Sequence, residues 1–186
     1  GWTNTFRYKN FDLSVFINGS YGNKVFNYLG MKLTHMNSAW INQLNTIADR
    51  AQLIPVDANK VYANGGKWYD DVTNVTVANS ATSIPRASIQ DPNDNDRVSD
   101  RYVEDGSYIR LKNITFGYTF PKNMIKKVGL ENLRVYANIQ NLLTLTKYDG
   151  YDPEIGVSTA SANVYGLDNG RYPSPTVYSF GLNVSF

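Results

Sequence analysis

The strongest constraint on this chain is the two-residue alternation of its last eleven residues. From Thr176 to Phe186, Tyr178, Phe180, Leu182, Val184 and Phe186 fall on one face, and Val177, Ser179, Gly181, Asn183 and Ser185 on the other. Side chains alternate across a strand, whereas a helix repeats every 3.6 residues, so this stretch predicts a strand and not a helix. One of its sides is large and apolar, the other small and mostly polar. A lone strand cannot bury such an apolar side, so it belongs to a wider sheet.

Four more stretches carry the same period, at about 1–9, 11–21, 107–120 and 133–145, with the last at about 176–186. Phe11, Leu13, Val15 and Ile17 alternate with Asp12, Ser14, Phe16 and Asn18 after a tight Lys9-Asn10 turn. Tyr108, Arg110 and Lys112 lead into Ile114, Phe116, Tyr118 and Phe120 on one face, and Pro121 stops the run. Leu133, Val135, Ala137 and Ile139 oppose Arg134, Tyr136, Asn138 and Gln140. The connections between these stretches run short, very long, short, long. The long ones, about 22–106 and 146–175, leave from the same end of the sheet.

Composition removes several classes of function. There is no cysteine, so disulfides, thiolate metal sites and cysteine nucleophiles are excluded. Lys and Arg total 18 and Asp and Glu 16, which gives no electrostatic footprint for nucleic acid. No stretch approaches the roughly 20 apolar residues of a membrane helix, so a contact with a bilayer must be made by strands. Membrane barrels show the observed asymmetry of short periplasmic turns and long outer loops, with aromatic tips on an apolar face and a polar lumen. On that reading Val15, Ile114, Val135, Leu182 and Val184 face lipid. Asn138, Gln140, Asn183 and Ser185 face the lumen, and the last strand ends at the periplasmic side. Five strands close no barrel, so the remainder is expected outside this chain. The chain opens on Gly-Trp-Thr with no signal peptide, so both ends read as boundaries within a larger design.

The long 22–106 stretch predicts a helix from Leu29, Leu33, Met36, Trp40, Leu44 and Ile47, which step by three and four. The rest of it reads as loop, with Asn64-Gly65-Gly66, Ile84-Pro85-Arg86 and the acidic Asp91–Asp96 run.

Tyr8–Ser14, Ser99–Tyr118, Leu133–Leu142, Tyr148–Glu154 and the ending from Tyr172-Pro173 to Phe186 together resemble the carboxyl-terminal end of SusC/RagA-type TonB-dependent outer-membrane transporters. Ser-Tyr-Ile-Arg-Leu-Lys-Asn-Ile-Thr followed by Gly-Tyr is the most specific part, and the stretch between Gly22 and Asp96 the least. The resemblance implies an all-β chain forming the last five antiparallel strands of a plugged transmembrane barrel of about 22 strands. The plug domain would lie upstream. It further implies nutrient import, of oligosaccharides or peptides, with a SusD-like surface lipoprotein as lid. The TonB complex would act through the upstream plug region, in the outer membrane of a Gram-negative bacterium. No catalysis on the substrate and no cofactor are implied. The aromatic end formed by Phe180, Leu182, Val184 and Phe186 would be the signal read by the outer-membrane assembly machinery.

Individual candidates are few. Trp68, Tyr69 and Trp40 lie in the long outer stretch, where flat aromatics suit a sugar face, a peptide groove or a partner. Trp40 also lies on the Leu33–Leu44 stripe, and there it reads first as the core of the loop helix. Read as a calcium loop, the Asp91 run has Asp96 where Gly is required and Tyr102 where Glu is required, so a solvated turn is expected and no metal. His35 has no carboxylate partner in view and is given no role. Arg86 and Arg97 are expected to tie the loop to the barrel mouth, and Lys126-Lys127 to lie in a solvated turn. The competing reading is a soluble all-β carbohydrate-binding module with one helical insert. It shares the low charge and high aromatic content but has no need of five apolar-faced strands.

Overall fold

In the computed structural model the described residues are 1–186 without Ala39, Gly156, Thr159 and Ala160, and without the side chains of Val157, Ser158, Ser161, Ala162 and Asn163. They form two compact units, Gly1–Asn27 with Val103–Phe186, and Tyr28–Tyr102.

The first unit is built on a five-stranded antiparallel sheet. Its strands are β1 (Trp2–Tyr8), β2 (Phe11–Ser20), β3 (Tyr108–Thr119), β4 (Asn132–Thr146) and β5 (Val177–Ser185). Each pairs with its neighbour in sequence order. The β1–β2 hairpin turns on two residues, with Tyr8 opposite Phe11 and Lys9 in the left-handed region at φ 52°.

The register turns alternation into continuous rows. Phe6, Leu13, Phe116, Ala137 and Phe180 lie side by side across all five strands, and so do Tyr8, Phe11, Tyr118, Val135 and Leu182. The opposite face carries Thr5, Ser14, Thr115, Asn138 and Ser179, then Arg7, Asp12, Gly117, Tyr136 and Gly181. Aromatic contacts within the apolar rows strengthen the pairing: the Phe11 ring centroid lies 5.7 Å from Phe116 and 4.7 Å from Tyr118.

One departure from strict alternation matters most. The ladder shifts register at Lys112, between Phe16 and Ile17 on β2 and between Leu111 and Asn113 on β3. An extra residue in a strand reverses which face the following side chains take. Leu111 therefore joins Ile17 and Leu143 on the apolar side, and Arg110 pairs with Asn18 and Thr144 on the other. Arg110 does not continue the face of Ile114 as a simple two-residue count predicts.

The long connections of this unit carry short pairings of their own. Lys24–Asn27 lies between Val103–Asp105, antiparallel, and Leu167–Asp168, parallel. Val157–Ser158 pairs with Ser161–Tyr165. After β3, Lys122–Ile125 forms a helical turn, α1, that runs into a 3₁₀ turn at Lys126–Val128. Gly129 closes it at φ 76°, the left-handed C-terminal position that favours glycine. Ile125 is buried there while Lys126 and Lys127 are exposed.

The second unit contains far less helix than the spacing predicts. A helix, α2, covers only Tyr28–Leu33. Thr34 ends it by folding its hydroxyl back onto the Gly30 carbonyl at 2.8 Å, the competition with backbone bonding that makes Thr a poor helix interior residue. The chain returns so that Leu44 N–H donates to Leu33 O, then makes a 3₁₀ turn at Asn45–Asp49. Met31, Ile47 and Tyr102 are buried, but Leu44 is 41 % exposed and Trp40 96 % exposed. Trp40 is thus not the core of a loop helix. Leu53–Pro55 pairs with Val75–Val77, and buried Asn74 ties the enclosed segment by bonding to both N–H and C=O of Asp57.

Candidate functional site

Three features of the first unit carry its chemistry: an apolar face, a polar face, and an ion-pair cluster where β3 meets the 147–175 connection. The apolar face is largely uncovered. Phe180 is 84 % exposed, Leu182 68 % and Phe6 54 %. Water-soluble proteins rarely leave so large a contiguous apolar area exposed.

The polar face is internally hydrogen-bonded. Asn138 Nδ2 donates to Asn113 Oδ1 at 2.7 Å and to Thr115 Oγ1 at 2.8 Å. Arg134 donates in fork geometry to Asp12, Nε to Oδ1 at 3.1 Å and Nη2 to Oδ2 at 2.5 Å. Its guanidinium also lies 5.2 Å from the Tyr136 ring centre. A Cβ at Gly117 would collide with that guanidinium, and one at Gly181 with the Tyr136 ring. The two glycines let Arg134 and Tyr136 lie down along the sheet, as aromatics do across strand glycines.

At the cluster, Arg110 is 3 % exposed. It donates from Nε to Thr144 Oγ1 at 2.8 Å, from Nη1 to Glu154 Oε2 at 2.7 Å and from Nη2 to Asp152 Oδ1 at 2.5 Å. Lys112, at the bulge, pairs with the other Glu154 oxygen. Burial pushes the Asp152 carboxyl up, but the Arg110 bond, the Ser174 and Glu154 backbone N–H groups and the Arg110 charge together hold it below the ordinary value. Nearby, Tyr148 O–H donates to Asp168 Oδ2 at 2.7 Å. Gly170 and Arg171 N–H groups supply the other oxygen of Asp168, which is 1 % exposed. Burial and the Asp168 bond raise the Tyr148 hydroxyl pKa, so it stays a donor at any physiological pH. These are fastening interactions: Arg110 is held by two carboxylates, and the Asp168 carboxylate by three hydrogen-bond donors.

The sequence candidates fall in different surroundings. Trp68 and Tyr69 form an edge-to-face pair, centroids 5.6 Å apart at 80°, and Lys67 Nζ sits 5.4 Å from the Tyr69 ring. Trp40 packs against almost nothing in the chain. Phe186, Val184, Leu182 and Phe180 are all exposed. Arg97 donates to Asn93 O at 2.8 Å within its own turn. His35 does have a carboxylate close by, with Nε2 3.3 Å from Asp96 Oδ2 but no hydrogen bond between them. The Asp91 run is a tight turn in which Asp91 accepts from Asn95 N and Nδ2, both at 2.6 Å. His35, Asp91 and Asp96 are a set able to hold a metal ion. Sequence reasoning missed both this set and the Arg110 cluster. The only signal for the cluster was Asp152-Pro-Glu154 beside an Arg and a Lys on β3.

No helix among the described residues is long and apolar enough to cross a membrane, which leaves strands unaddressed. No protein-family model matches the chain. Over its whole length it is 35 % identical to TonB-dependent receptor P3 and 32 % identical to TonB-dependent receptor P26, both of Formosa agariphila. It is 27 % identical, again over its whole length, to TonB-dependent receptor SusC of Bacteroides thetaiotaomicron. The chain spans only 15–16 % of the length of these relatives. Solved structures of the RagAB peptide transporter and of the RagAB peptide importer in its closed-closed state share the fold. Each has a TM-score of 0.66, at 21 % and 22 % identity, over 97 % and 99 % of this chain and 16 % and 17 % of theirs. Matched from end to end by these receptors, and folded as an antiparallel sheet with one bare apolar face, the chain is a SusC/RagA-like segment of the kind found in TonB-dependent receptors.

Proposed function

We propose that this chain forms a piece of the wall of a closed outer-membrane β-barrel of about 22 strands, with the apolar rows against lipid and the polar rows toward the lumen. The intact protein imports oligosaccharides or peptides across the outer membrane of a Gram-negative bacterium. A SusD-like surface lipoprotein serves as lid, and the TonB complex acts through a plug region outside this chain. It does no chemistry on its cargo. The 22–106 and 146–175 connections are extracellular on this reading, and Trp68, Tyr69 and Trp40 contact substrate or partner. Phe180, Leu182, Val184 and Phe186 belong to the assembly signal.

The observation that carries the reading is the pair of five-residue apolar rows lying uncovered beside a polar face with hydrogen bonds of its own. Lipid solvates such a face, and a closed barrel satisfies the outer edges of β1 and β5. A soluble carbohydrate-binding module would leave Phe180 and Leu182 in water.

The full-length protein is expected to fractionate with the outer membrane and to migrate faster on an unboiled denaturing gel than after boiling, as closed barrels do. A strain lacking it should lose growth on its cognate glycan or peptide source, and a surface lipoprotein should co-purify. Recovery as a soluble protein without heat-modifiable migration would sink the barrel. Unchanged growth on both nutrient classes would sink import.

A further inference from the structure

Within Tyr28–Tyr102 one group is left in an unusual state. The His35 side chain is nine-tenths buried, and its Nε2 has no hydrogen-bond partner. Nε2 lies 3.3 Å from Asp96 Oδ2, yet the two are not aligned as donor and acceptor. A buried imidazole nitrogen aimed at a carboxylate without bonding it is costly unless something else sits between them. Asp91 brings a second carboxylate, and one ligand atom from each of the three residues lies within 4.8 Å of the others. A cavity of about 10 Å³ adjoins two of the three, its wall including His35, Asp91 and Asn95. That is about the space of one water molecule.

The spacing is informative. Two ligands of a tetrahedral zinc, each about 2.0–2.1 Å from the ion, stand about 3.4 Å apart. The His35–Asp96 separation fits that edge better than it fits a hydrogen bond. Asp91 is oriented by two donors of Asn95, the kind of outer support that metal-binding carboxylates receive. Nitrogen-plus-oxygen donors with no sulfur favour zinc-like ions. Calcium and magnesium prefer oxygen ligands throughout, so an imidazole in the set disfavours them. Two carboxylates balance the ion's charge and must also outweigh Arg86 and Arg101 on the cavity wall.

We propose that His35, Asp91 and Asp96 bind one divalent zinc-class ion, with water as the fourth ligand, and that the ion clips the end of α2 to the Asp91–Asp96 turn. A metal joining two stretches so far apart in sequence shortens the loop that the disordered chain would otherwise have to close. The ion is a staple for the long connection and does not act on cargo.

The test uses the full-length receptor in detergent, stripped of metal with chelator and then titrated separately with Zn²⁺ and Ca²⁺. Elemental analysis should find one equivalent of zinc fewer in His35→Ala and in Asp96→Asn than in the wild type, whatever other sites the protein has. Asn95→Ala should retain the equivalent but bind it about tenfold more weakly. Zinc should slow proteolytic cleavage between residues 36 and 90 in the wild type and not in the two ligand variants. Asp96→Asn is nearly isosteric, so it keeps the test valid if His35→Ala disturbs folding. Equal zinc content in wild type and both variants, or uptake of calcium in place of zinc at these residues, would overturn the proposal.

Discussion

Arg110 ties the sheet to the 147–175 connection through a single buried side chain. Its five N–H donors form a fixed fork, and the sheet and the 147–175 connection bring Thr144, Asp152 and Glu154 to three of its nitrogens. Truncating it to Met strands Asp152 in a buried site, a loss of about 3–5 kcal/mol for a broken buried ion pair. Release of the connection should be visible as rapid amide exchange over residues 147–175 in the full-length protein. Arg110→Lys should not rescue it, because one ammonium cannot span three acceptors in that fork. The fastening also has a pH signature. Asp152 has its folded pKa lowered from 3.8, so its contribution is complete above that value and fades as pH falls through the depressed one. Protection factors over this connection, corrected for the intrinsic pH dependence of amide exchange, should be flat from neutral to mildly acid pH and fall only below 3.8. Tyr148→Phe is a smaller lesion. It removes one of three bonds to the buried Asp168 carboxylate and should cost about 1–3 kcal/mol.

The strands can be tested face against face. Leu182 and Asn183 are neighbours on β5 but point to opposite sides, toward Val135 and Arg134 respectively. In a bilayer, Leu182→Arg should destabilise the folded barrel by about 2–4 kcal/mol near the midplane, and Asn183→Arg by much less, read as the shift in denaturant midpoint. Equal shifts would place the faces wrongly. Deleting Lys112 tests the bulge: regular alternation through Leu111 and Asn113 then keeps Arg110 on the Asn18 side, so the strand faces and folding yield should survive and only the Lys112–Glu154 ion pair be lost. The long runs of β2, β4 and β5 were legible because period-two alternation is a direct image of which side each residue faces. The reversal at Lys112 was not, since Arg110, Lys112 and Ile114 have the same parity and only pairing reveals the extra residue. The helix predicted through Ile47 failed for a related reason. Apolar residues three and four apart are also produced by a chain that doubles back, and Thr34 and Ser38 make side-chain bonds that compete with the helix. Contacts such as Arg110 with Asp152 or His35 with Asp96 join residues far apart in sequence, and no local pattern encodes them.

At the scale of the whole molecule, the two units suggest where the protein tolerates change. Phe26 pairs with Val103, so the chain enters and leaves the Tyr28–Tyr102 unit through adjacent residues. Replacing that unit by a short turn should leave the five-strand register and heat-modifiable migration intact while lowering lipoprotein co-purification and uptake. A barrel that failed to assemble would show that the unit is needed for folding, and normal uptake would show that it is dispensable. A different consequence follows from Gly117 and Gly181. Because neither has a side chain, Tyr136 and Arg134 recline on the wall instead of standing away from it. On the proposed barrel reading this sets clearance: two large side chains lie flat and occupy little of the bore. A methyl group at position 181 would prop the Tyr136 ring upright, narrowing the passage without adding charge or altering the lipid side. Transport of the bulkiest cargo should then fall first while smaller cargo still passes.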